Sequence, residues 1–69
     1  MNGTRDIVEI LLTIRDFEFN SIREFQIFNA LSYAGALKIL KRFESQGYIN
    51  LVKTTRCVKI IKTQKLVEI

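Results

Sequence analysis

The chain has 69 residues, with 11 Lys and Arg against 7 Asp and Glu, no histidine, no proline and one cysteine. A chain of this length folds as one small domain, which we expect to span residues 1–69, and leaves no room for a separate catalytic domain. The lone Cys57 excludes an internal disulfide, and the lack of histidine removes the commonest zinc ligand and general base. We expect no enzyme activity, metal, cofactor or small-molecule ligand.

Hydropathy argues against a membrane protein. No apolar run approaches the roughly 20 residues that a membrane-spanning helix needs. The first ten residues, MNGTRDIVEI, lack the charged start and long apolar stretch of a signal peptide. We therefore expect a cytoplasmic protein with no membrane partner.

The charge is unevenly distributed along the chain. Residues 1–31 hold three cations and five anions, a net of −2, whereas residues 32–69 hold eight cations and two anions, a net of +6. A basic half of this kind is typical of a surface that meets phosphate, although it also fits a solubilising surface.

A first helix is predicted to begin at a Thr4 cap, with Asp6 in its first turn, where the helix dipole favours an acid. Its apolar residues recur at helical spacing. They are Ile7, Ile10, Leu11 and Ile14. We expect the helix to end near residues 15–17, and residues 16–20, DFEFN, to form a loop or a very short strand.

A second, short helix is predicted over residues 22–29, because Ser21 followed by Glu24 is a capping-box pattern. The apolar side of this helix is expected to consist of Ile22, Phe25, Ile27 and Phe28. Residues 29–31 then make a tight connection. The phenylalanines could be a stacking platform for single-stranded nucleic acid, but a small domain needs them in its core. They are Phe17, Phe19, Phe25, Phe28 and Phe43.

A third helix is predicted to be capped by Ser32 and to end at Gly47, which suits a left-handed C-terminal position. Its apolar face comprises Ala36, Ile39, Leu40 and Phe43. At 100° per residue the opposite side collects Ala34, Lys38, Lys41, Arg42 and Ser45. Tyr33 and Leu37 lie at the border of the two faces.

After Gly47 the apolar period changes to two. Residues 48–53 and 57–62 are predicted to be strands, and the short join at residues 54–56 predicts an antiparallel hairpin. The tail, residues 63–69, either extends the second strand or forms one turn of helix. The predicted fold is α+β: three helices followed by a two-stranded antiparallel hairpin, which is the order of a winged helix-turn-helix.

The stretch LSYAGALKILKRFESQGYI, residues 31–49, resembles the corresponding part of small winged helix-turn-helix transcription regulators. The resemblance lies in the leucine-serine start, the basic helix with apolar spacing, and the glycine followed by two apolar residues. It implies a recognition helix over residues 32–46 in the major groove and a wing over residues 53–59 on the backbone or in the minor groove. The composition is also similar to that of regulators from thermophilic archaea or their viruses.

Two residues depart from the family pattern. Gly35 stands where a hydroxyl residue is common, and Tyr33 is bulkier than the usual residue. The candidate DNA-binding residues are Ser32, Tyr33, Ala34, Gly35, Lys38, Lys41, Arg42, Lys53, Thr55, Arg56 and Lys59. Lys38, one turn into the helix, is the best candidate for a base edge, and Arg56 at the hairpin tip suits a narrow minor groove.

The sequence thus predicts a transcription regulator that binds double-stranded DNA sequence-specifically as a homodimer on two half-sites. The first helix and the tail 64–69 are the candidate dimer surfaces. Two alternatives stay open: a protein-interaction winged-helix module of a larger complex, and a non-specific architectural nucleic-acid binder.

Overall fold

The computed structural model describes residues 6–69. Its elements are α1 (Ile7–Asp16), α2 (Ile22–Asn29), α3 (Tyr33–Ser45), β1 (Ile49–Lys53), β2 (Val58–Lys62) and α4 (Gln64–Val67). The predicted α+β arrangement is confirmed: three helices precede a two-stranded antiparallel hairpin, an order consistent with winged-helix topology. Over residues 6–69, no helix combines the length and apolar character needed to cross a membrane.

Helix α1 contributes one apolar stripe to the core. Ile10, Leu11 and Ile14 are buried, as their spacing predicts. Asp6 occupies the N-cap position but its side chain makes no capping hydrogen bond, and the expected Thr4 cap lies outside the described residues. The helix ends at Asp16 as predicted, and residues 17–20 form a loop rather than a strand.

A tight turn joins α2 to α3. The Ser21 hydroxyl accepts a hydrogen bond from the Glu24 amide (3.3 Å), and the Glu24 carboxylate accepts one from the Asn20 amide (3.1 Å). At the other end of α2, Ala30 adopts a left-handed conformation with φ 54°, and the Leu31 amide donates to the Gln26 carbonyl (2.9 Å). The helix bounds and the tight connection predicted from the sequence are both confirmed.

The inward side of α3 lies in the centre of the core. Ala36, Leu40 and Phe43 are at most 2% exposed, and Ile39 is half-buried. Gly47 has φ 87°, and the amides of Gly47 and Tyr48 close a Schellman motif on the carbonyls of Glu44 and Phe43. The left-handed glycine expected at this point is therefore confirmed.

The hairpin pairs Ile49 with Lys62 and Lys53 with Val58. The tail folds as the one-turn α4, because Leu66 is completely buried and the Thr63 hydroxyl donates to the Gly47 carbonyl (2.6 Å). The tail therefore packs on the corner between α3 and β1 and does not extend the second strand.

The prediction for the apolar side of α2 is wrong in two positions. The buried stripe of the helix is Ile22, Phe25 and Asn29, whereas Ile27 is 70% and Phe28 41% exposed. Asn29 can lie in the core because its amide nitrogen donates to the Phe25 carbonyl and to the Thr13 hydroxyl, both at 3.3 Å.

The aromatic core is correspondingly smaller than predicted. Phe19, Phe25 and Phe43 are buried, but Phe17 is 51% exposed and stacks on Phe28 at the surface, with ring centroids 4.9 Å apart.

The two left-handed positions differ in residue type, and this predicts opposite effects on stability. We expect Ala30→Gly to raise the free energy of unfolding by up to about 1 kcal/mol, because glycine adopts this conformation without strain. Gly47→Ala should lower it by about 1 kcal/mol, since a β-carbon there meets only the Lys65 side chain at 3.8 Å and the cost is conformational. Urea unfolding measures both, and a destabilised Ala30→Gly variant would contradict the prediction.

Candidate nucleic-acid interface

The outward side of α3 is a stripe of exposed residues. Ala34, Lys38, Lys41 and Ser45 are all exposed, as the helical spacing predicts. Arg42 is also exposed, but it lies at the border of the stripe and lines a shallow hollow with Ile7, Val8 and Leu11 of α1. Lys38 and Lys41 are therefore the two cations that point directly away from the core.

The N-terminus of α3 is open to solvent. The Ser32 hydroxyl accepts a hydrogen bond from the Gly35 amide (3.1 Å), so the predicted cap is confirmed. The amides of Tyr33 and Ala34 begin the helix, where no intrahelical carbonyl can accept from them. Such free amides, together with the helix dipole, favour a phosphate at this end.

The presence of a glycine at position 35 has a local structural reason. A β-carbon at this position would lie 3.1 Å from the Ser32 hydroxyl oxygen, closer than ordinary packing allows. A side chain at this position would require the Ser32 hydroxyl to shift by a few tenths of an ångström. The departure from the family pattern at residue 35 is thus coupled to the close approach of Ser32.

Tyr33 lies beside α2. Its side chain is 58% exposed and lines an open hollow with Ile27, Ala30 and Leu31. The bulk of the tyrosine is accommodated by this hollow, and its ring remains accessible at the start of the helix.

One acidic side chain holds α3 beside the hairpin. The Glu44 carboxylate accepts a hydrogen bond from the Leu51 amide at 3.0 Å. In the antiparallel ladder, the Thr54 amide donates to the Cys57 carbonyl and so points towards the second strand. Because successive amides of a strand point alternately towards and away from the paired strand, the Leu51 amide points to the outer edge of β1. Helix α3 therefore lies along the outer edge of β1. The one acid of this helix, Glu44, makes a hydrogen bond within the fold.

The tip of the hairpin is ordered by Thr54. Its hydroxyl donates to the Cys57 carbonyl (2.7 Å) and accepts from the Cys57 amide (3.1 Å). Lys53, Thr55 and Arg56 are exposed around this turn. The predicted wing thus presents two cations on a turn whose backbone is already fixed.

The remaining lysines fall into two classes. Lys59 is exposed on the outer face of the hairpin. Lys62 donates to the Arg15 carbonyl (2.8 Å), and Lys65 donates to the Gln46 carbonyl (2.7 Å) and lies 4.7 Å from the centre of the Tyr48 ring. Lys62 and Lys65 therefore stabilise the fold.

None of the cations in residues 32–69 forms an ion pair with an acid in residues 6–69. Within residues 6–69 the only ion pair joins Arg15 to Asp16 (2.9 Å). The hydrogen bond from Arg15 lowers the pKa of Asp16, and the same bond raises the pKa of Arg15. Lys38, Lys41 and Arg56 have no acidic partner in the described part of the chain, so their full charge is available to an anion.

The described residues offer little for other chemistry. Cys57 is half-buried, with its sulfur 3.5 Å from the Asn20 carbonyl oxygen. Among residues 6–69 no three His, Cys, Asp or Glu side chains are grouped so that they could hold a metal ion.

The two classes of lysine can be separated by stability. Lys62→Met keeps the aliphatic stem but loses the hydrogen bond to Arg15, and we expect the free energy of unfolding to fall by about 1 kcal/mol. Lys53→Met, at an exposed position of the paired strand, should change it by less than about 0.5 kcal/mol. Equal losses in urea unfolding would show that the Lys62 contact does not stabilise the fold.

Comparison with protein-family models, with curated proteins and with solved structures gives no significant match. The function of the chain has therefore to be inferred from the surface of its own fold. That surface combines an open helix N-terminus, two outward lysines on α3 and a basic hairpin tip.

Proposed function

We propose that this chain binds double-stranded DNA sequence-specifically and regulates transcription as a homodimer. The recognition helix, residues 32–46, would lie in the major groove, with the wing, residues 53–59, on the backbone or in the adjacent minor groove. A major groove accepts one α-helix, and the 13 residues of α3 present one continuous exposed stripe to it.

One observation carries the proposal: the exposed cations of α3 and the wing have no internal partners, whereas the acid beside them does. Lys38, Lys41 and Arg56 face solvent unpaired, and Glu44 is bonded to the Leu51 amide. Glu44 keeps its negative charge but is outnumbered by these cations, so the net charge on this side of the molecule is positive, which favours phosphate over a neutral protein partner.

A protein-interaction module remains the alternative, and a different observation favours it. The aromatic pair Phe17 and Phe28 lies at the surface beside Ile27. Exposed apolar groups of this size commonly mark a protein contact. DNA binding and a protein contact can coexist on this chain, since the two sets of residues do not overlap.

A selection of bound duplexes from a random pool, at two salt concentrations, tests the proposal. A palindromic consensus supports sequence-specific binding by a dimer. Equal binding to the selected and random duplexes at both salts would indicate a non-specific binder, and no binding at low salt would favour the protein-interaction alternative. If four or five cations of each copy meet phosphates, the log–log salt slope of the dimer should be roughly −8.

Single substitutions should separate base contacts from phosphate contacts. We expect Lys38→Ala to lower the preference for the selected site by about tenfold or more, because this residue is placed to reach a base edge. Arg56→Ala should weaken specific and random duplexes alike and make the salt slope shallower by about 1.8, because the dimer loses two phosphate contacts.

Glu9→Ala is the matched control on an exposed face of α1, and it should change neither the specificity nor the salt slope. A Lys38→Ala variant that loses affinity equally for all duplexes would place Lys38 on the phosphates instead.

A further inference from the structure

An apolar surface lies outside the proposed DNA-binding residues. Phe17, Ile27 and Phe28 line one open hollow, and all three are exposed. Two acids, Glu18 and Glu24, line the same hollow. We call these five residues the aromatic half, because they form one part of a larger surface.

A second, complementary surface adjoins it. The outer face of the hairpin carries Val52 and Ile61, which are 45% and 44% exposed, beside the exposed Lys59. Val52 lies opposite Lys59 in the ladder, and alternation places Ile61 on the same face. We call these three residues the hairpin half.

The two halves meet at a hollow of about 300 Å³ between β2 and the loop that follows α1. Phe17 and Glu18 line this hollow from the loop, and Lys59 and Ile61 line it from the strand. The surface is therefore continuous, apolar along its length, acidic at one side and basic at the other.

Three charged side chains flank this hollow, and one of them, Lys62, is bonded to the Arg15 carbonyl. The side chains of Glu18 and Lys59 make no hydrogen bond or ion pair with any other residue in the range 6–69. A partner that supplies the opposite charges in the reverse order would satisfy both. A partner of uniform charge would be repelled at one side.

We propose that the partner is a second copy of this chain, bound about a two-fold axis that runs between the aromatic half and the hairpin half. In a two-fold interface the same patch meets itself, so a surface with an acid on one side of the axis and a base on the other is self-complementary. Glu18 then faces Lys59 of the second copy, and the aromatic half packs on the second copy's hairpin half.

The position of the patch leaves the proposed DNA-binding surface free. Glu44 bonds the outer edge of β1, so α3 lies on that side of the hairpin. Most of the proposed dimer face lies on the other side, next to β2 and the α1–α2 loop, and Val52 is its one residue on β1. The inference rests on the proposed function in taking the chain as a homodimer, and it assigns Lys59 to the dimer contact in place of a phosphate.

Charge reversal tests the pairing directly, by sedimentation equilibrium without DNA. Glu18→Lys and Lys59→Glu should each raise the dimer dissociation constant by about tenfold, since each creates two like-charge contacts per dimer. The double variant should return to within about threefold of the original value, because the pair is restored with its charges exchanged. Glu9→Lys, which makes the same charge change on α1 outside the face, should leave the constant unchanged.

An apolar substitution tests the same face independently. Ile27→Ser removes an apolar side chain that is already 70% exposed, so the fold should persist while the dissociation constant rises by about tenfold. Val8→Ser is the matched control at an exposed position of α1. If Val8→Ser weakens the dimer and Ile27→Ser does not, the first helix is the interface and this proposal is overturned.

The outcomes also distinguish this proposal from the proposed function. A chain that stays monomeric yet selects a DNA consensus overturns the dimer face and leaves the DNA-binding function standing. If the double variant restores the dimer but the original chain binds no duplex, the interface is supported and the proposed function is overturned. A dimer that the double variant fails to restore contradicts the Glu18–Lys59 pairing.

Discussion

The burial of the inner stripe of α3 is the contact on which the rest of the structure depends. Ala36 and Leu40 are completely buried and Phe43 nearly so, and α3 packs against both α2 and β1. The small side chain of Ala36 permits a close approach of the neighbouring elements. Because one side of the helix is held in the core, the other side must face solvent, and the positions of Lys38 and Lys41 follow from that constraint.

A domain of this size uses many of its polar side chains to support the fold. Glu44 bonds the edge of β1, Lys62 bonds the end of α1, and Lys65 bonds the end of α3. These contacts fasten the hairpin and the tail to the helices where the apolar core is thin. The cations left over are concentrated on α3 and the hairpin, so the uneven charge of the chain becomes an uneven charge of the surface.

The hairpin separates two surfaces with different chemistry. On the β1 side lie the exposed cations of α3, which suit a polyanion. On the β2 side lies a mixed surface, where Phe17 and Ile61 are apolar and Glu18 and Lys59 carry opposite charges. A uniform charge favours a nucleic acid, whereas a mixed apolar surface favours a protein, and the two edges of one short sheet keep them apart.

The sequence by itself determined the order of the three helices and the hairpin, the bounds of α2, the caps at Ser21 and Ser32, and the outward stripe of α3, because these depend on local spacing and local hydrogen bonds. Tertiary structure alone decided the core-facing side of α2 and the fold of the tail. Asn29 is buried while Ile27 is exposed, because the Asn29 amide has two acceptors within hydrogen-bond distance. The tail forms a helical turn, in which Leu66 is buried. The bond from Asn29 to Thr13 and the burial of Leu66 depend on residues distant in the chain, so no local pattern contains them.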